Sequence, residues 1–295
     1  MNFRNIFKRS LTNDFHAMGI NERNATLIYP NNKRKHYKLA DDKVLSKNIL
    51  HKHDIPCAET YAVIEKIGDI QKGWSEVQKY QKIAIKPANG SGGGGIKILK
   101  KDRSGNWISS SKIVANEDVF LHMANIIMGH YSLGSYDRVL IEECIEPHSF
   151  FHEIYPIGVP DFRVILLKEQ PLMAMLRVPT NKSDGKANLH QGGLGIGIDM
   201  ETGRLMEAYD GEQYFENHPD NNHVILGKRI PHWKKIIDIS IQTAKYFPLD
   251  YLGVDIVIDQ KLGPLIMEVN VRPGLAIQLA NKTGMKYVLN ELMIE

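Results

Sequence analysis

Residues 251–276 read YLGVDIVIDQKLGPLIMEVNVRPGLA, and this stretch decides how the rest of the chain is understood. Leu252 to Ile258 and Pro264 to Asn270 each have the composition of a buried strand. Asp255 lies on the first, while Glu268 and Asn270, two apart on the second, share a face. Apolar strands rarely carry carboxylates unless the charges are paired or bound to metal. Two readings stay open on these residues. Two carboxylates and an amide oxygen on neighbouring strands form a hard, all-oxygen site that suits Mg2+ held jointly with substrate phosphates. Alternatively, Glu268 forms a buried ion pair with Arg272 or a lysine.

A second stretch, KPANGSGGGGIKILKK at 86–101, gathers five glycines in six positions. Glycine in that density lets a backbone approach something that a Cβ would block. Gly90, Gly92 and Gly95 match the G-x-G-x-x-G dinucleotide spacing, but that motif needs a following helix, and Ile96-Lys97-Ile98-Leu99-Lys100 alternates as a strand. Ile83-Ala84-Ile85-Lys86 alternates upstream, giving strand, glycine loop, strand. A Walker A loop needs Gly immediately before Lys and Ser or Thr after it, whereas Lys97 stands between Ile96 and Ile98. A kinase flap should be accompanied by H-R-D and D-F-G, and Asp161-Phe162 is followed by Arg163. A flexible hairpin without a ligand is the plain alternative.

At 295 residues the chain can form one large or two ordinary domains. Its 24% charged and 43% hydrophobic residues are those of a globular protein. A formal charge of +3 gives no argument for nucleic acid. The basic stretch NNKRKHYK at 31–38 reads as a solvated face. Cys57 and Cys144 lack metal spacing, and a reducing cytoplasm suits them. No apolar run approaches the ~18 residues of a membrane helix. Phe3, Ile6 and Phe7 suggest at most a short amphipathic turn in a solvated or docked tail.

Along the chain, a polar, basic entry runs to Lys38. A helix with an acidic start (Asp41-Asp42) then extends to Leu50, followed by a strand at 60–64 and a helix at 70–80. Two strands flank the glycine loop within 82–99. A helix at 117–131 and a buried strand at 139–141 follow. Two strands lie within 162–178, a Gly, Asn and Asp-rich stretch spans 181–203, and a helix at 236–247 precedes the two decisive strands. No repeat of 20 to 50 residues is present. This is an α/β or α+β layout.

In order, DDK, IKPANGSGGGG, VLIEECI, PDFRV, DGKANLHQGG, GVDIV and MEVNVRPGL resemble the ATP-grasp superfamily, most closely its RimK-type, alpha-L-glutamate ligase-like branch. The likeness covers about residues 40 to 281. It implies an α+β ATP-grasp fold in which two lobes hold ATP between antiparallel sheets, with a shortened N-terminal region. The corresponding division is an extension at 1–40, an associated segment at 41–80, a small lobe with the glycine flap at 81–145, and a large lobe with the metal site at 146–295. On this resemblance Lys43 and Lys86 reach the ATP phosphates as compact point charges. Gly90, Ser91, Gly92, Gly93, Gly94 and Gly95 form the flap, and Glu143, Cys144 and Ile145 border adenine. Asp161 lies towards the ribose, and Arg163 towards substrate or phosphate. Lys186 and Asn188 belong to a loop that meets the phosphates, with His190 beside them. Asp255, Glu268 and Asn270 hold one or two Mg2+ ions, with Mn2+ able to substitute.

The implied reaction is ATP-dependent joining of a carboxylate to an amine through an acylphosphate, releasing ADP and phosphate, with a small-molecule or peptide donor. Homo-oligomer formation is compatible with it. Arg163, Arg272 and Lys186 are the candidate catalytic cations, the first two for a tetrahedral oxyanion. The alternatives are an ATP-grasp phosphotransferase and an ATP-binding protein without ligase turnover. Three departures stand out: Arg272 replaces a small residue of the closest ligases, Lys186 replaces an arginine, and the preceding domain is reduced to about 40 residues.

Overall fold

The computed structural model describes residues 16–90, 92–183 and 185–293, so the aromatic and basic opening of the chain lies outside the described residues. The chain divides into two compact units. The smaller comprises Asp42–Asn48 and Cys57–Ile145, and the larger Met1–Asp41, Ile49–Pro56 and Glu146–Glu295.

The smaller unit is built on strands β1 (Thr60–Ile64), β2 (Lys82–Pro87), β3 (Lys97–Lys101), β4 (Trp107–Ser109), β5 (Lys112–Ile113) and β6 (Val139–Glu143). They form one antiparallel sheet in the order β1-β6-β2-β3-β4-β5. Helices at Ile70–Glu76 and Asn116–Ile127 close one face, where Ile83, Ile85, Leu99, Ile141, Val119, Met123 and Ile126 are all fully buried. Those strand residues alternate with Ala84, Lys86 and Glu142, which therefore project to the other face. The second of these helices stops at Ile127, short of the expected Tyr131, because Gly129 turns the chain with φ +84°. A Cβ on Gly129 would stand 2.3 Å from the Ser135 carbonyl oxygen, so the position admits only glycine. A further helix spans Lys43–Lys52. Its acidic start acts as a cap: Asp42 Oδ1 accepts from the backbone N–H groups of Val44 at 3.0 Å and Leu45 at 3.2 Å.

The larger unit carries β7 (Asp161–Leu167), β8 (Gln170–Val178), β9 (Leu194–Ile198), β10 (Leu205–Tyr209), β11 (Tyr214–Phe215), β12 (Tyr251–Asp259) and β13 (Gly263–Asn270). This sheet too is antiparallel throughout, in the order β11-β10-β9-β8-β7-β12-β13. A helix at Trp233–Tyr246 packs against β7, β8, β12 and β13. Phe162, Val164, Val254 and Ile256 are fully buried. Alternation sends Asp161, Arg163, Tyr251, Gly253 and Asp255 to the opposite face.

The polar entry proves to be helical. Ile20–Arg23 is α-helix, Asn24–Ile28 a π-helical turn and Tyr29–Asn31 α-helix again. Its apolar signal is short, since Leu27 and Ile28 are its buried hydrophobic residues, and polar side chains do the anchoring. Asn32 Nδ2 donates to the Tyr251 carbonyl at 2.6 Å, and Tyr251 N–H donates to Asn32 Oδ1 at 3.0 Å. Arg23 Nη1 donates to the Pro273 carbonyl at 2.7 Å. Asn32→Ala leaves two buried backbone groups of β12 unpaired and is expected to lower unfolding free energy by about 1–3 kcal/mol. Urea denaturation checks this, and an unchanged midpoint would mean that the helical entry is not anchored there.

Candidate active site

In the smaller unit, Ala84 stands opposite Ile98 on one side and Glu142 on the other, so the three form one cross-strand row. Lys86 follows two residues along on the same face. Glu142 binds two ammonium groups: Lys47 Nζ donates to Oε2 at 2.5 Å, and Lys86 Nζ pairs with Oε1. Lys47 also donates to the Ala58 carbonyl at 2.6 Å. Lys47, Lys86 and Glu142 are all buried. Burial alone would raise the Glu142 carboxyl, but the charges of Lys86 and then Lys47 outweigh it and hold the group below its ordinary value. Ile98 remains 40% exposed, leaving an apolar surface at the end of a row that begins with charge. A nucleotide needs both, since its base is flat and largely apolar at the faces and its phosphates are anionic.

The glycine loop lies beside this row. Lys43 Nζ donates to the Gly90 carbonyl at 2.7 Å, which holds one predicted phosphate lysine at the base of the loop. Gly95 has φ +76°, and a Cβ there would meet the Tyr131 ring at 2.7 Å. Gly93, at φ +75°, has nothing within 4 Å of its Cβ position. Gly92 and Gly93 are exposed, so the loop offers backbone that a phosphate could approach without meeting side chains. Gly92 and Gly94 complete its described part, and Ser91 lies outside the described residues. Glu143 ends β6, and its N–H donates to the Glu59 carbonyl at 2.9 Å. Cys144 and Ile145 follow, both half-buried.

In the larger unit, strand register gathers the charges. Asp255 stands opposite Glu268 on β13 and opposite Arg163 on β7. Asp161 stands opposite Arg177, and Asn270 opposite Gly253. All project from one face of four adjacent strands. Arg163 Nε donates to Asp255 Oδ1 at 2.8 Å, and its Nη2 to Oδ2 at 2.6 Å. Arg177 Nη2 bridges the two acids, reaching Asp255 Oδ2 and Asp161 Oδ2 at 2.8 Å each, while its Nε donates to Asp161 Oδ1 at 2.5 Å.

Burial alone would raise Asp255, but Arg163 and Arg177 outweigh it and hold the carboxyl well below the carboxylate range. Asp161 shares Arg177 with Asp255, so burial prevails and pushes it up to about 6. Both acids act in turn to raise Arg177 above its ordinary value, against the effect of burial.

These residues fit a hard divalent cation. A carboxylate offers about four lone-pair directions, and the guanidinium bonds use one on Asp255 Oδ1 and two on Oδ2. One direction on Oδ1 remains, beside Glu268. Asn270 buries its amide nitrogen without a hydrogen-bond partner among the described residues, and a phosphate oxygen could accept from it. No group of three or more His, Cys, Asp or Glu side chains with metal-binding geometry occurs among the described residues. A cation here would rely on the Asn270 amide oxygen and ligand phosphates as well as the two carboxylates.

Other predicted residues stand apart from this cluster. Lys186 is exposed in the segment between β8 and β9. Asn188 Oδ1 accepts from the His190 N–H at 3.2 Å, capping a short 3-10 turn. Arg272 is exposed and stacks 4.9 Å over the Tyr37 ring. The acid tied to arginine is Asp255, and its partners come from β7 and β8. Arg177 and the Lys47–Glu142 pair were missed. A lone arginine in the apolar run Leu172–Val178 was the available signal for the first, whereas nothing local marks Lys47.

The family model for sugar-transfer associated ATP-grasp proteins matches residues 22–293. The chain belongs to this family. Its two antiparallel sheets with their helices are an α+β ATP-grasp fold. The sugar-transfer associated ATP-grasp family is a different branch from the RimK-type ligases. The resemblance thus holds for the superfamily and not for the branch. No curated protein matches this sequence. Among solved structures, D-alanine–D-alanine ligase from Bacillus anthracis is 14% identical, with a TM-score of 0.48 over 86% of this chain and 66% of that one. A Chryseobacterium gregarium RiPP-associated ATP-grasp ligase, in complex with ADP and a leader and core peptide, is 12% identical, with a TM-score of 0.49 over 91% of this chain and 65% of that one. D-cycloserine synthetase is 12% identical, with a TM-score of 0.47 over 87% and 71%. The chain thus spans somewhat less than two thirds of the length of the first of these ligases.

The Glu142 pairing has a pH signature. Its carboxyl titrates lower in the folded than in the unfolded chain, so the pairing stabilises the fold above the ordinary value of 4.5 and loses that effect as pH falls below it. Glu142→Gln leaves two buried ammonium groups without their anion and is expected to destabilise by about 3–5 kcal/mol near pH 7. Denaturant titrations from pH 7 to pH 3 should show the gap from wild type closing with acid, and a constant gap would contradict the pairing. Arg177→Met strips Asp161 of its cation and is expected to cost a similar 3–5 kcal/mol, whereas Arg177→Lys should recover only part of it, because lysine cannot bridge both acids.

Proposed function

We propose that the chain is an ATP-dependent ligase that joins a carboxylate to an amine and releases ADP and phosphate. The observation that carries this reading is the register that sets Asp255 opposite Glu268, with Asn270 on the same face and Arg163 alongside. Phosphoryl transfer asks the protein chiefly for positioning and for charge neutralisation. Lys43, Lys86 and the N–H groups of Gly92 to Gly95 are assigned to the phosphates, and Ile98 and Ala84 with the Glu143–Ile145 segment to the base. Mg2+ held by Asp255, Glu268 and Asn270 would supply further positive charge at the phosphate oxygens.

In the proposed reaction a substrate carboxylate oxygen attacks the γ-phosphorus, the bond to the β-phosphate oxygen breaks, and ADP departs. The amine then attacks the acyl carbon of the acylphosphate, inorganic phosphate leaves and the amine gives up a proton. Arg163 is the residue we assign to the oxyanion, with its guanidinium already fixed by Asp255 and its Nη1 facing the Gly274 backbone. Lys186, exposed in the loop between β8 and β9, is assigned to the transferring phosphate. Glutamate is not carried over as the donor, because the family is another branch. The family description directs attention to sugar-linked acids and amines as substrates.

Incubation with ATP, Mg2+ and a pool of amino acids, hydroxy acids, peptides, uronic acids and amino sugars, followed by mass spectrometry, tests this. The expected result is ADP formation that depends on one acid and one amine, with a condensed product. A phosphorylated product with no condensation would make the protein a phosphotransferase. Glu268→Gln should lower ADP formation by about 100-fold or more while the thermal midpoint is retained. Wild-type turnover in that variant would remove the metal assignment.

A further inference from the structure

The helical entry brings a second set of charges to the larger unit, away from the aspartates. Arg23 is only 6% exposed, and its guanidinium bonds are all to neutral acceptors: Nη1 to the Pro273 carbonyl, and Nε and Nη2 to Asn24 Oδ1 at 3.2 and 2.8 Å. A guanidinium has five N–H donors, so two are left over. No carboxylate lies within ion-pair distance of Arg23 among the described residues, and the same holds for Arg272. A buried cation without a counter-ion is expensive, and a second cation beside it makes the expense greater. The proximity of Arg272 indeed adds to burial in lowering the Arg23 titration.

A third group lies nearby. Tyr251 is fully buried, and its hydroxyl has no hydrogen-bond partner among the described residues. Tyrosine hydroxyls that are buried usually find a partner. This one lies close enough to Arg23 that the two groups influence each other's titration. Tyr251 also shares its strand face with Gly253 and Asp255. Pro273 lies over Gly253, where a Cβ would meet its ring carbon at 2.7 Å, and it is the Pro273 carbonyl that Arg23 holds. Arg272, stacked on Tyr37, is the exposed member of the group.

We propose that Arg23, Tyr251 and Arg272 form a subsite for an anionic group of the substrate, a carboxylate or a phosphate, distinct from the groups assigned to nucleotide and metal. The inference rests on the ligase reading for its role but not for its detection. Two cations supply the charge, the orphan hydroxyl supplies a directional donor, and burial strengthens both. Tyr251 precedes Asp255 by four residues, about 13 Å along a strand. The anion held here is therefore not the carboxylate that reacts at Asp255 and Glu268, and the substrate carries a second acidic group remote from the first.

Separate calorimetric titrations of the full chain with inorganic phosphate and with acetate, at fixed ionic strength, test the subsite without requiring turnover. Tyr251→Phe and Arg272→Met should each weaken the preferred anion by about tenfold, the loss of one charge-assisted bond. Tyr251→Phe without anion should be at least as stable as wild type, because an unpaired buried hydroxyl is removed. Lys245→Met, at an exposed position outside every assigned site, should leave the anion affinity unchanged. Tighter phosphate binding identifies a phosphorylated substrate, and tighter acetate binding identifies a diacid. Unchanged affinity in both Tyr251→Phe and Arg272→Met, or no saturable binding of either anion, would overturn the proposal. Failure to find ATP-dependent condensation would count against the ligase reading alone.

Discussion

The arrangement of the larger sheet depends on one carboxylate shared by two arginines. Asp255 accepts from Arg163 on the neighbouring strand and from Arg177 one strand further away. Without those cations its burial would favour a neutral acid, which neither binds a hard cation nor orients a guanidinium. With them, the charge is kept and its direction fixed. The arginines are in turn tolerable in an apolar sheet only because Asp161 and Asp255 are there. The four side chains form a balanced set of two acids and two bases, and removing any member leaves a charge that the rest cannot absorb.

The smaller unit solves a similar problem with different parts. Glu142 lies between Lys47 and Lys86, so two cations share one anion and the set carries a surplus positive charge. That surplus is what distinguishes it from the balanced quartet and makes it a candidate for phosphate. Lys43 at the foot of the glycine loop donates to the Gly90 carbonyl. Charge count therefore separates the two clusters: the one around Glu142 carries excess positive charge, and the one around Asp255 presents an ionised acid.

Much of this was legible in the sequence because strands write their geometry with period two. Glu268 and Asn270 could be placed on one face of a strand neighbouring that of Asp255, since alternation follows from backbone stereochemistry, and the register that brings Asp255 to the same face comes from the structure. Arg177 was harder to read because its significance lies in register: nothing local says that it stands opposite Asp161. Lys47 pairs with a residue 95 positions away, a contact that only tertiary structure creates. The entry helix was hidden for another reason. A π-helical turn at Asn24–Ile28 breaks the 3.6-residue period, and its asparagines look like loop residues although Asn32 works as an anchor.

Asn32 deserves to be seen as a surrogate peptide. Its side-chain amide offers the same donor and acceptor as a backbone unit, and it meets Tyr251 on both, next to the point where β13 ends its pairing at Gly253 and Asn270. The ladder is thereby lengthened by one rung made of side chain. The Tyr251 amide proton is consequently shielded from solvent exchange by a residue more than two hundred positions earlier, so its exchange rate reads out directly whether the segment that ends at Asn32 is docked.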